Sequence, residues 1–329
     1  MRDFAGRLAV ITGGGTGMGR ELARALATEG CHLALCDLSE ENMAETRRLC
    51  EPSGVRVSTH RCDVADEAQV LAFRDAVAAA HGTDQVHLLF NNAGIGGGGS
   101  ITDPDAREQW DRTFAICWGG VYYCTRAFLP MLMAAPAAHI VNTSSINGFW
   151  ASVGPQTPHT AYSAAKFAVK GFTEALITDL RLHAPHVKCS VVMPGHIGTQ
   201  IVVNSTRILE RDPDALSADE IAEVRRTITE MGLPVDNLPD DAIRELMRER
   251  MRQFESTAPT TAAQAVAEIL DGVRAERWRI LVGDDARVLD EAVRGNPEQA
   301  YEPAFLEPVL AAGHLTGLVG SISAANETR

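Results

Sequence analysis

The stretch "TGGGTGMG", residues 12 to 19, follows the apolar run "LAVIT" at residues 8 to 12 and precedes a helix-forming segment. This succession predicts a strand, a tight turn and the N-terminus of a helix. Glycines allow the backbone to turn sharply and to approach a pyrophosphate, whose charge the helix N-terminus stabilises. The stretch therefore predicts a dinucleotide site after the first strand. The residues predicted at this turn are Gly13, Thr16, Gly17, Met18 and Gly19.

Six further apolar runs alternate with helix-forming segments along the chain. They predict strands at residues 32–37, 55–60, 86–91, 139–144, 187–193 and 278–283. Apolar strands separated by helices imply right-handed crossovers and a parallel sheet that is covered on both faces. The sequence therefore predicts an α/β fold, a doubly wound parallel sheet of about seven strands with helices on both faces.

Residues 200 to 258 interrupt this alternation with charged, helix-forming sequence. An insertion at this point lies beside the crevice that parallel sheets form beyond the C-terminal ends of their strands. It is predicted to be a helical substrate lid, and an arm that contacts another subunit is the alternative. Residues 1–290 would form one domain that contains this insertion. Residues 291–329 would form a C-terminal extension, either docked or partly mobile.

Composition and charge exclude several classes of function. The chain has 329 residues and a formal net charge of -13, so it would repel nucleic acid and anionic membranes. Its seven cysteines have no metal-ligand spacing and fit reduced thiols better than disulfides, so no metal site is predicted. The sequence shows no signal peptide and no apolar stretch of membrane-spanning length. These features predict a cytoplasmic protein with a small-molecule ligand.

Asp37 ends the second predicted strand, 20 residues after Gly17. An acidic side chain at this point can accept hydrogen bonds from the adenosine ribose hydroxyls, and it repels a 2′-phosphate. The neighbouring Thr16 and Leu38 are not basic and offer nothing to bind that phosphate. The pattern favours NAD as the cofactor without excluding NADP.

Several motifs together resemble those of the short-chain dehydrogenase/reductase family. They are "TGGGTGMG", "CDV" at 62–64, "NNAG" at 91–94, "NTSS" at 142–145, "YSAAK" at 162–166 and "PGHIGT" at 194–199. The resemblance covers about residues 4–200 and 260–285. It implies a Rossmann-type fold, an NAD(P)-dependent oxidoreductase and a homodimer or homotetramer.

The resemblance also implies further cofactor contacts. Asp63 and Val64 would flank the adenine, "NNAG" would line the cofactor and stabilise the central strand, and Thr199 would hold the nicotinamide carboxamide. The remaining residues that it adds are Asn91, Ala93, Gly94, Pro194, Gly195 and Ile197.

Tyr162 and Lys166 are four residues apart in a helix-forming stretch and therefore share one helix face. A nearby ammonium stabilises the phenolate and is expected to lower the pKa of the tyrosine. By resemblance, Tyr162 would exchange the proton with the substrate oxygen and Lys166 would also bind the nicotinamide ribose. Ser145 would hydrogen-bond the substrate oxygen, with Ser144 pointing into the sheet.

Cys117 departs from the family pattern, which commonly has an asparagine at this point to anchor a water between the lysine and solvent. Three interpretations remain open. A backbone carbonyl holds the water and the enzyme is active, the relay is damaged, or the cysteine itself is reactive. A nucleotide-binding but catalytically weak or silent protein is therefore the alternative function.

The motifs name no substrate. Phe149 and Trp150, together with the apolar residues of the insertion, predict a roomy and largely apolar pocket. The predicted reaction is the interconversion of a secondary alcohol and a ketone on a hydrophobic small molecule.

Overall fold

A seven-stranded parallel sheet forms the centre of the protein. The computed structural model describes residues 1–97, 99–103, 106–154, 158–230 and 234–316. The strands are β1 (Leu8–Thr12), β2 (His32–Asp37), β3 (Val57–Arg61), β4 (Leu88–Asn91), β5 (Ala138–Thr143), β6 (Val187–Pro194), β7 (Ile197–Gly198), β8 (Thr260–Thr261) and β9 (Arg279–Val282). The main sheet has the order β3-β2-β1-β4-β5-β6-β9, and β7 pairs separately with β8. The predicted doubly wound α/β fold is confirmed, and the strand order reverses between β1 and β4.

Helices cover both faces of the sheet. They are α1 (Gly17–Thr28), α2 (Glu40–Cys50), α3 (Glu67–His81), α4 (Arg107–Phe114), α5 (Gly120–Ala134), α6 (Thr160–His183), α7 (Ile201–Ile208), α8 (Ala218–Glu230), α9 (Asp240–Ser256), α10 (Ala262–Arg274), α11 (Asp284–Gly295) and α12 (Glu307–Ala311). A π-helical turn, Ala115–Gly119, joins α4 to α5. Among the described residues, none of the helices combines the length and the apolar character that crossing a bilayer requires.

The residues of β1 alternate between two hydrophobic cores. Leu8 and Val10 pack in the core formed with α3, α5 and α6, and Ala9 and Ile11 pack in the core formed with α1 and α10. All four are buried. A strand that is apolar on both faces needs a covering layer on each side, which explains why β1 is a continuous apolar run.

The 200–258 insertion leaves and rejoins the domain at neighbouring points. Ile197 pairs with Thr260 and Gly198 pairs with Thr261, so β7 and β8 bring its two ends together. The insertion also has its own small core, formed by Leu216, Ile221, Ile228, Val235 and Ile243. The helices α8 and α9 therefore pack on each other.

The segment after β9 docks beside the chain that follows Ser145. The predicted boundary at residue 290 falls inside α11. Trp150 lies in a core with residues of this segment, including Leu289 and Val309, and its Nε1 donates to the Ala300 carbonyl at 2.7 Å. Residues 317–329 lie outside the described ranges.

A buried carboxylate fixes the turn after β6. Asp285, at the start of α11, accepts hydrogen bonds from the backbone N–H of His196 at 2.6 Å and of Ala286 at 2.9 Å. A Cβ at Gly195 would lie 2.1 Å from Asp285 Oδ1. The turn therefore has room for glycine alone unless Asp285 moves.

We expect Gly195→Ala to lower the free energy of unfolding by about 1–3 kcal/mol, because the added methyl group displaces a buried carboxylate from its donors. The matched control is Gly171→Ala on α6, where a Cβ would meet nothing within 4 Å. That control should raise the free energy of unfolding by up to about 1 kcal/mol. Urea unfolding of both variants checks this. Equal stabilities of the two variants would contradict it.

Candidate active site

Two adjoining cavities lie beyond the C-terminal ends of the central strands. The first, the switch-point groove, has a volume of about 350 Å³. Its lining includes these predicted residues: Gly13, Thr16, Gly17, Met18, Asp37, Leu38, Asp63, Val64, Ala93, Gly94 and Thr199. The second, the Tyr162 cavity, has a volume of about 510 Å³ and includes Ser145, Tyr162, Lys166, Pro194, Gly195 and Ile197. Met18, Gly94 and Thr199 line both cavities.

The glycine-rich turn fits a pyrophosphate. Gly13 has a φ of +65°, and a Cβ there would lie 2.9 Å from the Ala93 Cα. A Cβ at Gly19 would lie 1.9 Å from the Gly13 carbonyl oxygen, so Gly19 permits the close packing of α1 but does not itself line the groove. No side chain caps the N-terminus of α1, and its first turn holds no acidic residue. Its free N–H groups suit an anion.

The carboxylate of Asp37 is held at the end of β2. Its Oδ2 accepts from Gly15 N at 3.0 Å and its Oδ1 accepts from Ser39 N at 3.1 Å. Ser39, rather than Asp37, caps α2 by accepting from Asn42 N at 3.2 Å. Asp37 is therefore free of a capping role, and it lines the groove.

At the next strand, Asp63 is oriented by two partners. Its Oδ2 accepts from Arg112 Nη2 at 2.7 Å, and its Oδ1 accepts from Ala65 N at 3.0 Å. Cys36 and Cys62 also line this part of the groove. Neither cysteine belongs to a metal or redox motif, so no sequence signal indicates its position in the groove.

In "NNAG" the two asparagines have different surroundings. Asn91 is buried, and its Nδ2 donates to Thr125 Oγ1 at 3.0 Å and to Asn142 Oδ1 at 2.8 Å. Its side chain lines neither cavity. Asn92 lines both cavities, and its Nδ2 donates to the Thr12 carbonyl at 3.1 Å. Asn91 therefore ties the strand to its neighbours, and Asn92 contributes to the groove.

Helix α7 of the insertion crosses the junction of the two cavities. Asn204 Nδ2 donates to Thr16 Oγ1 at 2.9 Å, which links α7 to the glycine-rich turn. Ser205 Oγ accepts from Gly96 N at 2.8 Å, which links α7 to the loop after β4. Asn204 and Arg207 line the groove. No sequence signal identified these residues, because the fold alone brings α7 back over the turn.

The polar groups of the reacting centre meet on one wall of the Tyr162 cavity. Lys166 is buried, its Nζ donates to the Thr143 carbonyl at 2.9 Å, and it lies 5.3 Å from the centroid of the Tyr162 ring. Ser145 is also buried, and its Oγ accepts from Asn147 N at 3.1 Å. Its hydroxyl is near enough to the Tyr162 phenol to lower the pKa of that phenol. The structure thus brings the three predicted side chains together.

Burial outweighs charge at the Tyr162 phenol. Removal from water raises the pKa of Tyr162, and the Lys166 ammonium and the Ser145 hydroxyl lower it only partly. The predicted lowering of this pKa by Lys166 is present. The predicted net lowering is wrong for the protein without coenzyme, because burial has the larger effect. The phenol is therefore protonated at neutral pH.

The adjacent serines face different partners. Ser144 Oγ donates to the Lys166 carbonyl at 2.8 Å. A Cβ at Gly148 would lie 2.2 Å from the Ser144 Oγ. The hydroxyl of Ser144 is therefore committed to α6, whereas Ser145 faces the phenol.

Cys117 lies beneath the cavity wall, within the π-helical turn. It is fully buried, and its Sγ donates to the Ile95 carbonyl at 3.2 Å. A Cβ at Gly94 would lie 3.4 Å from Lys166 Nζ and 3.7 Å from Cys117 Sγ, so the Gly94 backbone adjoins both groups. Cys117 lines neither cavity. A π-helical turn inside an α-helix is frequent at functional sites.

The predicted contribution of Phe149 and Trp150 to the pocket is not found in the structure. Phe149 and Trp150 line neither cavity. Trp150 packs against the C-terminal segment, and the Cζ of Arg279 lies 5.7 Å from the centroid of the Phe149 ring. Phe254 of the insertion lines the Tyr162 cavity instead. His159 also lines it, with its ring centroid 4.8 Å from that of Tyr162.

The site contains no metal-binding cluster within the described ranges, since no three His, Cys, Asp or Glu side chains there could hold an ion together. The seven cysteines, all in described positions, are buried and unpaired.

Comparison with known proteins finds similar sequences. A family model described as short chain dehydrogenase matches residues 7–208. The putative oxidoreductase SadH of Mycobacterium tuberculosis is 43% identical over 206 residues, which cover 63% of this chain and 72% of that protein.

Two solved structures are also similar. A short chain dehydrogenase/reductase from Burkholderia phymatum in complex with NAD is 30% identical, covers 92% of this chain and 98% of its own, and superposes with a TM-score of 0.72. A metagenomic short-chain oxidoreductase in complex with NADP is 34% identical, with 58% and 83% coverage and a TM-score of 0.52. Because the family model matches more than half of the chain, the protein belongs to the short-chain dehydrogenase/reductase family of oxidoreductases.

Proposed function

We propose that the protein is a nicotinamide-dependent oxidoreductase that interconverts a secondary alcohol and a ketone. The observation that carries the proposal is the meeting of Tyr162, Ser145 and Lys166 on the wall where the Tyr162 cavity adjoins the switch-point groove. A bound nicotinamide ring would accept or supply the hydride. The chain supplies the proton, the orientation of the substrate oxygen and a site that excludes water.

Each of the three residues has a separate task in this proposal. Tyr162 Oη exchanges a proton with the substrate oxygen, and Ser145 Oγ hydrogen-bonds that oxygen and holds it beside the phenol. Lys166 stabilises the phenolate, since its ammonium lowers the pKa that burial has raised. In ketone reduction the protonated phenol is the acid, and in alcohol oxidation the phenolate is the base.

NAD is the proposed cofactor. Asp37 places a negative charge where a ribose 2′-phosphate would lie, and its carboxylate is already fixed by Gly15 and Ser39. Arg20 on α1 donates from Nε to Thr46 and from Nη2 to the carbonyls of Gly15 and Asn42, so these two nitrogens are committed within the protein. NADP remains the cofactor of the metagenomic relative.

The 200–258 insertion is proposed to be a lid over the substrate. Its helix α7 is held by hydrogen bonds to Thr16 and Gly96, and its residues line both cavities. Opening this lid would break both hydrogen bonds, so coenzyme and substrate would exchange only in the open state. We further propose a homodimer or homotetramer, the arrangement implied by the resemblance to the family.

Cys117 does not by itself make the protein silent. Its thiol donates to the Ile95 carbonyl, and the ammonium of Lys166 donates to the Thr143 carbonyl. A water leading from Lys166 would therefore be held by backbone carbonyls at the π-helical turn. The active enzyme is the function that the site supports best.

Tyr162→Phe should lower kcat/KM about a hundred- to ten-thousand-fold, because the general acid is lost while the ring is kept. In the unaltered enzyme, kcat/KM for alcohol oxidation should rise with pH between about 7 and 10, and that for ketone reduction should stay flat. The reason is that burial keeps the phenol protonated. Steady-state rates at 340 nm with a panel of apolar ketones and alcohols measure both.

Tyr123→Phe on α5 is the matched control and should retain full activity, because Tyr123 lines neither cavity. If Tyr162→Phe retains full activity, the phenol of Tyr162 is not the general acid or base.

Asp37→Asn should weaken the preference for NAD over NADP about 10- to 100-fold, because the amide can still accept from Gly15 but no longer repels a phosphate. The ratio of kcat/KM for the two coenzymes is the measurement. Asp75→Asn on the exposed side of α3 is the control. A ratio that does not change in Asp37→Asn would show that other residues set the preference.

Cys117→Ala should keep kcat within about tenfold, and Cys117→Asn should not raise it further, if backbone carbonyls hold the water. Cys124→Ala, a buried cysteine of α5 outside both cavities, controls for packing. An increase of several orders of magnitude in Cys117→Asn would instead mean that the natural relay is impaired.

A further inference from the structure

The charges that line the Tyr162 cavity are of one sign. Lys166 and Arg211 are the fixed charges among its described lining residues, and these include no Asp or Glu. The two histidines of the lining, His159 and His196, have pKa values lowered by burial, that of His159 to about 4, so both are neutral at pH 7. Lys166 is assigned to Tyr162, which leaves Arg211 without a task in the reaction.

The guanidinium of Arg211 is oriented by Gln109. With its amide oxygen turned toward Arg211, Gln109 accepts from Nε at 2.7 Å and from Nη2 at 3.1 Å. Both side chains line the cavity, and within the described ranges no group accepts from Nη1 of Arg211 or from the amide N–H groups of Gln109 in this orientation. A guanidinium and an amide are donors that suit the oxygens of a carboxylate.

The backbone that carries Arg211 is also held in place. Helix α7 ends in a turn in which Arg211 N donates to the Thr206 carbonyl and Glu210 N donates to the Arg207 carbonyl, at 2.6 and 3.3 Å. Glu210 has a φ of +55°, a left-handed conformation that glycine usually adopts at this position. A strained non-glycine residue held next to a cavity is a feature of functional sites.

No acidic side chain of the described ranges forms a salt bridge with Arg211. Glu220 feels its charge, but the carboxylate of Glu220 accepts from Ser217 N at 2.7 Å and from Ser217 Oγ at 2.6 Å. The adjacent Asp212 lies 3.8 Å from Arg207 instead. Within the described part of the chain, the positive charge of Arg211 therefore has no carboxylate in a salt bridge with it, although the net charge of the chain is -13.

The cavity between Tyr162 and Arg211 is bordered by apolar side chains from both the domain and the insertion. They are Val153, Ile197, Val202, Leu209 and Phe254. Such a lining suits the apolar body of a ligand, and the few polar groups fix its orientation.

We propose that Arg211, oriented by Gln109, recognises an anionic group of the substrate, and that the preferred substrate is an apolar ketone or secondary alcohol that carries a carboxylate at a distance from the reacting carbon. This inference rests on the proposed function and adds the substrate class to it. Arg211 is a specificity residue in this scheme and takes no part in proton transfer.

The test compares acids with their neutral esters. The substrates are p-acetylbenzoate and a series of methyl-ketone carboxylates of increasing chain length, each with its methyl ester, and p-acetylphenyl phosphate distinguishes a phosphate from a carboxylate. We expect kcat/KM of the unaltered enzyme to favour the best acid over its ester about 10- to 100-fold, an advantage that decreases with added salt. Arg211→Gln should remove the preference through the rate on acids and leave the rate on esters unchanged.

Two further variants sharpen the comparison. Arg211→Lys should keep part of the preference, because an ammonium retains the charge but not the paired donors. Arg252→Gln is the control, since Arg252 is an exposed arginine of α9 that pairs with Glu245 and Glu249 outside both cavities.

The outcomes separate the inference from the proposed function. Turnover of acids and esters at equal rates, a preference that survives in Arg211→Gln, or a preference for the phosphate over every carboxylate would overturn the inference and leave the function in place. If neither acids nor esters react, the proposed function fails. Calorimetric binding of the acids to the coenzyme-loaded protein then tests the inference. Equal affinities of Arg211→Gln and the unaltered chain for these acids would contradict it.

Discussion

The close approach of two backbone segments at the switch point is the constraint on which both cavities depend. The glycine-rich turn after β1 packs against the loop after β4, with room for no Cβ at Gly13 or Gly19. This contact sets the floor of the groove, and Gly94 in the same loop lies against Lys166 and Cys117. A Cβ at Gly13 or Gly19 would force this backbone packing apart. Backbone packing, rather than a particular polar contact, therefore determines how the two cavities meet.

The parts of the chain outside the common fold support this arrangement from two sides. The 200–258 insertion covers the junction through α7, which is hydrogen-bonded to Thr16 and to Gly96. The segment after β9 supports the opposite wall, because Asp285 holds the turn after β6 and the buried Trp150 anchors the chain after Ser145. Both additions act on the loops that carry site residues and leave the order of the main sheet unchanged. Their contacts shape the walls of the Tyr162 cavity.

The reacting centre combines burial with charge. Burial raises the pKa of Tyr162, and the Lys166 ammonium opposes that effect. A phenol that stays protonated at neutral pH is suited to donate its proton to a ketone, and the same phenol needs a higher pH or an additional cation to act as a base. The balance depends on how closely the cavity is sealed. If the 200–258 insertion is the proposed lid, its position and the pKa of Tyr162 are coupled through access of water.

The sequence by itself determined the order of strands and helices, the glycine-rich turn and the Tyr162–Lys166 pair, because these depend on residue spacing along a single element. It also predicted Asp37 from its position at the end of a strand, and Ser145 from the resemblance of its motif to that of the family. The tertiary structure alone decided that Asn92 rather than Asn91 lines the groove. It also decided that Trp150 packs against the C-terminal segment and not in the pocket. It likewise brought Asn204 and Arg211 from the insertion to the two cavities. Contacts between distant segments depend on how the insertion and the C-terminal segment pack, and no local periodicity encodes that packing.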